Sequence, residues 1–284
     1  MKMKSTDSKR KGILAPFKNP DGGFQIWFYV FLVLAGLIVV IDVISLSGLG
    51  FNNSAYEKEI RMVMQEFQGA GNSFLESEEV GDVRLNSNYE YVFEGPRIVH
   101  DYLASNIASG QRMNQEIESI DERTIDDINM SELNDPKVVE ELKIAYQKEI
   151  EILTATFERD REELEKMMEA ITELHKNSPD DNFVSGLYMA FVETKPVSFE
   201  IADEIMASTN ALYVSVEQYL DFLLANKGRY KFDQDGSFVA SASLITAYNQ
   251  KIDMLQDATE RLNEIHAKHM ENFSSKMSEL EKVL

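Results

Sequence analysis

Two histidines, His266 and His269, stand three residues apart, a spacing that puts both imidazoles on one side of a helix, where they could share a metal ion. Glu264 and Glu271 lie close by in the chain. A protein zinc site needs at least a third ligand, and the His-Glu-x-x-His run that supplies two histidines in many such sites does not occur. His100 and His175 stand alone. The pair therefore reads as two residues on the seam of a helix, and no metal ligand is assigned. Asp233-Gln234-Asp235-Gly236-Ser237 has the opening of a calcium loop. The bidentate Glu that should follow the glycine by about six residues falls on Ala242, so a tight turn is expected instead.

Other reactive patterns are missing. The chain has no cysteine, which excludes disulfides, thiol catalysis, cysteine metal sites and lipid attachment through a cysteine. No Gly-x-Ser-x-Gly elbow, phosphate-binding glycine loop or dinucleotide fingerprint is present. Paired carboxylates serve in glycoside hydrolysis, but 49 acidic residues guarantee accidental pairs, and the solvated faces of long helices account for most of them. Asn129-Met130-Ser131 and Asn272-Phe273-Ser274 fit the glycosylation tripeptide, a pattern short enough to be common by chance. No catalytic, cofactor-binding or metal-binding residue is assigned, and a non-enzymatic protein is expected.

The elements that would position any such groups are set by an uneven distribution of charge. Residues 1–24 carry six basic and two acidic side chains, a net of +4, whereas the chain beyond the apolar run holds 22 basic and 46 acidic residues, a net of −24. An acidic domain repels phosphate backbones, so nucleic acid is not an expected partner. Between the two lies GGFQIWFYVFLVLAGLIVVI, Gly22 to Ile41, without a charge. About 20 helical residues cross a hydrocarbon core of ~30 Å. Trp27 and Tyr29 stand where aromatic rings favour the headgroup layer. The expectation is a basic cytoplasmic tail over 1–24, one transmembrane helix over 25–47, and an extracytoplasmic domain over 54–284, oriented by the positive-inside rule. Ser45-Leu46-Ser47 would suit signal-peptide cleavage. The long basic region and an apolar run beyond the usual ~7–15 residues favour an uncleaved anchor in the plasma (inner) membrane. Asp42 interrupts the run, and a carboxylate there is a candidate for a proton path or helix contact. Its nearness to Ser45, Ser47 and Asn52 favours a place at the outer interface, reaching water.

The remainder reads as helices. Ser54 with Glu57 fits a capping box, opening a helix from about Ala55 to Phe67 that Gly69, Gly71 and Asn72 should end. Ser77 to Tyr91 reads as a loop, and Pro96 starts a helix running to about Ile120. Asp135-Pro136 is a strong helix start, with the helix running to Lys176 before Ser178-Pro179. Along it, Lys143, Tyr146, Ile150, Leu153, Phe157, Asp160, Leu164, Met167, Ile171 and Leu174 form a coiled-coil-like seam, eight of ten apolar, on a rod of about 60 Å. A short apolar helix over 183–194 should break at Lys195-Pro196. Another runs from Ser198 to Asn226 and closes at Gly228. Tyr230, Phe232 and Phe238 flank Asp235-Gly236, a hairpin signal. The last helix runs from Ala242 on a seam of Ile245, Tyr248, Ile252, Leu255, Thr259, Leu262, His266, His269, Phe273, Lys276, Leu280 and Val283. The expected fold is all-α: a transmembrane helix plus an antiparallel helical bundle with long coiled-coil-like helices and a small β-hairpin.

One stretch carries a resemblance. Tyr219-Leu220, Gly228, Phe232, Gly236, Phe238 and Tyr248-Asn249 with Ile252 resemble a segment in a family of helical bacterial envelope lipoproteins of unknown function. The long C-terminal helices are also similar to those of wall-binding helical lipoproteins of Gram-positive bacteria. The chain departs from both in its anchor, a helix in place of a lipidated cysteine. The resemblance implies a bacterial, membrane-tethered helical domain and supplies no catalytic residue. Three functions follow as expectations: a scaffold binding a protein partner or itself through its helices, a module binding cell wall or another envelope ligand, and an enzyme or sensor with a pocket in the bundle.

Overall fold

The computed structural model describes residues 3–4, 54–76, 85, 89–120, 129–193 and 195–283. The expected membrane segment 25–47, Asp42, nearly all of the basic tail and most of the expected loop 77–91 lie outside these residues. Among the described residues the fold is helical with a small sheet, and no helix is long and apolar enough to cross a membrane. In chain order the elements are β1 (Met3–Lys4), α1 (Ser54–Glu76), α2 (Glu94–Glu118), a 3-10 turn (Met130–Asn134), α3 (Pro136–Asn177), α4 (Asn182–Leu187) running into a π turn (Tyr188–Glu193), α5 (Lys195–Ala225), β2 (Lys231–Phe232), β3 (Phe238–Ala240) and α6 (Ala242–Val283). The described residues fall into two compact units. The first comprises 3–4, 115–154 and 205–265; the second comprises 54–114, 155–204 and 266–283.

In the first unit, α3 begins as its sequence predicts. Asp135 accepts a hydrogen bond from the Lys137 N–H at 2.9 Å, and Pro136 occupies the first helical position, where its missing N–H costs nothing. Lys143 Nζ lies 2.6 Å from Asp221 and Gln147 donates to Glu217 at 2.9 Å. The partner number falls as the α3 number rises, so α5 runs antiparallel to α3. Lys251 reaches Gln218, and Tyr248 lies beside Tyr219 and Phe222; α6, returning through the hairpin, is likewise antiparallel to α5. The two longest helices therefore run in the same direction in this unit, with α5 reversed between them. Leu142, Leu212, Val216, Tyr219, Leu223, Ile252 and Leu255 fill the core.

The hairpin turns where expected. Gly236 donates its N–H to the Asp233 carbonyl at 2.9 Å and Asp233 donates to the Ser237 carbonyl at 3.0 Å, with Gly236 at φ +78°. That is a turn followed by a left-handed bulge residue, a place for glycine. β2 and β3 pair antiparallel, Phe232 opposite Phe238, and Met3–Lys4 runs antiparallel along the other edge of β3. Asn134, at the end of the 3-10 turn, clamps the hairpin. Its side-chain amide donates to the Phe232 carbonyl at 2.9 Å and its oxygen accepts the Phe232 N–H at 2.7 Å.

Three expectations are corrected. The first helix does not stop at Phe67; α1 continues through Gly69, Gly71 and Asn72 to Glu76. A glycine costs a helix only about 1 kcal/mol relative to alanine, and the buried Ala70 shows that the next turn is packed. The helix expected to open at Ser198 opens at Lys195, with Pro196 in its first turn, after the π turn that ends at Glu193. The segment 130–134, not predicted as helical, is a 3-10 turn held by a capping box of Asn129 and Glu132. Asn129, the first glycosylation-like asparagine, thus has its side-chain oxygen engaged by the Ser131 N–H at 3.1 Å.

Asn134→Ala removes a donor and an acceptor from Phe232 together, and a loss of about 1–3 kcal/mol is expected. Gly236→Ala places a Cβ on a left-handed residue and should cost about 1–2 kcal/mol. Both are measured as a lower urea midpoint at an unchanged denaturant slope.

Candidate functional site

The second unit concentrates polar groups that are buried rather than solvated. Glu59 sits on α1 one residue before the buried Ile60 and is only 2% exposed. A carboxylate in that place needs donors, and the segment before α2 provides them. The Val92 and Phe93 N–H groups both donate to Glu59, each at 2.9 Å, and the Tyr89 hydroxyl donates at 3.3 Å. These amides stand at the entry to α2, where backbone donors lack helical partners and a negative charge is favoured. Glu59 thus caps α2 from another helix.

Two turns further along α1, Glu66 accepts from the Tyr91 hydroxyl at 3.0 Å and lies 3.5 Å from His100 Nε2. His100 Nδ1 lies 3.3 Å from Asp101, and its ring is 4.9 Å from that of Tyr91. Burial, then the Glu66 charge, holds the Tyr91 phenol well above its usual range, so it stays a donor. His100 is therefore not isolated as the sequence suggests. The short α4 is capped by Asp181, which accepts from the Phe183 and Val184 N–H groups and from the Tyr56 hydroxyl. Gly95 lets α2 approach this corner; a Cβ there would come within 3.2 Å of the Phe183 ring.

His269 and Glu204 form a second polar pair. His269 is buried, with Nε2 3.4 Å from Glu204 Oε2, and Lys268 Nζ lies 3.3 Å from the same oxygen. Burial lowers the His269 pKa against the opposing pull of Glu204, and the hydrogen bond from Lys268 lowers that of Glu204. The structure thus gives His269 a carboxylate from α5 as its partner, and the His266 side chain lies outside the described residues. Among the described residues no three His, Asp or Glu side chains are grouped to hold a metal ion. His175 stacks on Tyr188 at 4.5 Å.

Asp160 is the one acid on the predicted α3 seam, and the structure buries it to 4% exposure. Its Oδ2, the Ser109 hydroxyl on α2 and the Thr156 hydroxyl one turn earlier on α3 are all buried with no hydrogen-bond partner among the described residues. Ser109 stands close enough to favour the charged carboxylate but outside hydrogen-bonding geometry. Burial pushes Asp160 up to about 6, against the pull of Ser109 and the Arg159 guanidinium and with a further push from Glu163.

Glu59, Glu66 and Asp181 are acceptors satisfied by fixed donors, an arrangement that positions backbone. Asp160 is enclosed, an arrangement that favours the neutral acid over the charge. No protein family, curated protein or solved structure matches this chain. What fold and site define together is a helical protein with a small hairpin, whose second unit is organised around buried carboxylates.

Sequence reasoning missed Glu59 and Glu66, which look like ordinary surface acids of an amphipathic helix. Asp160 left a signal, a charge on an otherwise apolar seam. Glu59→Ala should destabilise the protein by about 1–3 kcal/mol and speed hydrogen exchange at the Val92 and Phe93 amides. Glu59→Gln, which keeps one acceptor oxygen, should fall between it and wild type in both measurements.

Proposed function

We propose that this chain is a membrane-tethered helical protein of a bacterial envelope, whose bundle binds a protein partner or scaffolds an assembly and carries out no reaction of its own. The observation behind this is the order of charge along the chain: a tail of net +4, an uncharged apolar run of membrane-crossing length, then a region of net −24. The resemblance of residues 219–252 to helical envelope lipoproteins points the same way.

The pairing of Met3–Lys4 with β3 and a single span exclude each other, because the span puts tail and bundle on opposite sides of the membrane. Magnitudes favour the span wherever a bilayer is present. A ladder of two residue pairs contributes about 0.5–1.5 kcal/mol per hydrogen bond. Thirteen Leu, Ile, Phe and Val residues lie between Phe24 and Ile41, each favouring a membrane interior by roughly 0.3–0.6 kcal/mol.

Support for a partner comes from Val92. It is 80% exposed while its own amide is tied to Glu59, so an apolar side chain is held in water on fixed backbone. Such a presentation suits an interface anchor, because little ordering entropy remains to be lost on binding.

The absence of cysteine makes topology directly measurable. In intact cells Lys227→Cys should react with a membrane-impermeant maleimide, and Ser5→Cys should react only after permeabilisation. Equal labelling at the two positions, or recovery of the chain in the soluble fraction, overturns the tether. A photocrosslinking residue at Val92 should give a reproducible adduct with another envelope protein or a second copy of the chain; no adduct overturns the partner role.

A further inference from the structure

We propose that Asp160 is a proton-operated latch between α2 and α3 in the second unit: protonated, it lets the two helices close, and ionised, it loosens them. The inference is independent of the membrane and partner readings. Its basis is the enclosure of a carboxyl in a helix interface together with two more orphaned polar atoms, Ser109 Oγ from α2 and Thr156 Oγ1 from α3. Neither hydroxyl stands in bonding geometry, so burial costs the neutral carboxyl only an unmade hydrogen bond, far less than it costs a charge. An ionised one can only accept, and it must be solvated by donors that the closed interface does not place in bonding geometry. Packed interfaces do not deform continuously, so the charge is accommodated by admitting water between the helices.

The groups acting on the carboxyl are few. Tyr102 and Ser109 face it from α2, and Arg159 and Glu163 flank it on α3. Burial pushes the Tyr102 phenol up, so it stays neutral in this range. Of the charges that α5 and α6 bring into the unit, Asp203 pairs with Arg161 at 2.9 Å, and Glu204 pairs with Lys268 and His269.

The sign follows from linkage. The folded protein holds the Asp160 proton up to about pH 6, and the unfolded chain releases it near ~4. The stabilising contribution is therefore complete below ~pH 4, declines as pH rises through 6, and is constant above. Each pH unit in that window is a tenfold change in the opening equilibrium, about 100-fold across it.

The test uses the full chain in mild detergent. Hydrogen exchange is followed from pH 4 to 8, corrected for its intrinsic pH dependence, at the amides of 103–113 on α2 and 157–164 on α3. Wild-type protection should fall about 100-fold relative to Asp160→Asn between pH 4 and 6 and then level off. The Asp160 carboxyl carbon, observed by NMR in the wild type, should titrate near 6, and Ser109→Ala should move that midpoint upward. A carboxyl titrating near 4 overturns the latch. So does parallel exchange of wild type and variant across the range, and so does a midpoint near 6 with unchanged exchange. Where Asp160→Asn fails to fold, the wild-type titration is set against the wild type's own exchange, and a midpoint near 6 without a loss of protection between pH 4 and 6 overturns the latch.

Discussion

Phe238 and Tyr248 lie face to face, their ring centroids 3.9 Å apart and their planes 5° from parallel, and much of the first unit is arranged around that stack. Phe238 is on the hairpin and Tyr248 on α6, so the contact fixes the start of the last long helix to the sheet. Phe232 and Tyr230 extend the cluster along the hairpin, and Phe222 carries it to α5. Rings of this size bury a large apolar area on few rotatable bonds, which lets a sheet too small to be stable alone hold its place. Asn134 and the Tyr230 hydroxyl, which donates to the Leu133 carbonyl at 2.9 Å, supply the polar counterpart. They engage backbone groups of Phe232 and Leu133 that burial would otherwise leave unpaired.

The second unit solves a different problem with a different device. Its helices bring acids inside, and two of them are satisfied by backbone donors. Glu59 caps α2 across 33 residues of chain and Asp181 caps α4 locally. Both satisfy amides at helix starts, where the helix itself provides no partner. Asp160 departs from this pattern. It faces hydroxyls in place of backbone amides, and its charge is correspondingly poorly supported. The contrast between a saturated Glu59 and an orphaned Asp160 within one unit is what gives the second a role that packing alone does not need.

Legibility followed the range of the interactions. The start of α3 at Asp135-Pro136, the end of α5 ahead of Gly228 and the turn at Asp235-Gly236 were readable because each depends on the φ, ψ or hydrogen-bonding habits of two or three adjacent residues. The seams of α3 and α6 were readable because a period of 3.6 is local arithmetic; Leu153, Met167, Ile171, Tyr248, Ile252 and Leu255 are all buried. The end of α1 was misread because glycine propensity is weak beside the burial of a neighbouring turn.

By its own content the sequence determined the helical class, the hairpin, the absence of cysteine chemistry and the layout of charge around an apolar run, all consequences of composition and short-range pattern. Only the tertiary structure decided that the two longest helices run in the same direction in the first unit, that His269 meets Glu204, that Glu59 caps a helix from a distance and that Asp160 lies beside Ser109. The pairs concerned are separated by 65, 33 and 51 residues. Over such distances an acidic side chain has the same local pattern whether it faces water or an amide, and only the packed chain distinguishes the two.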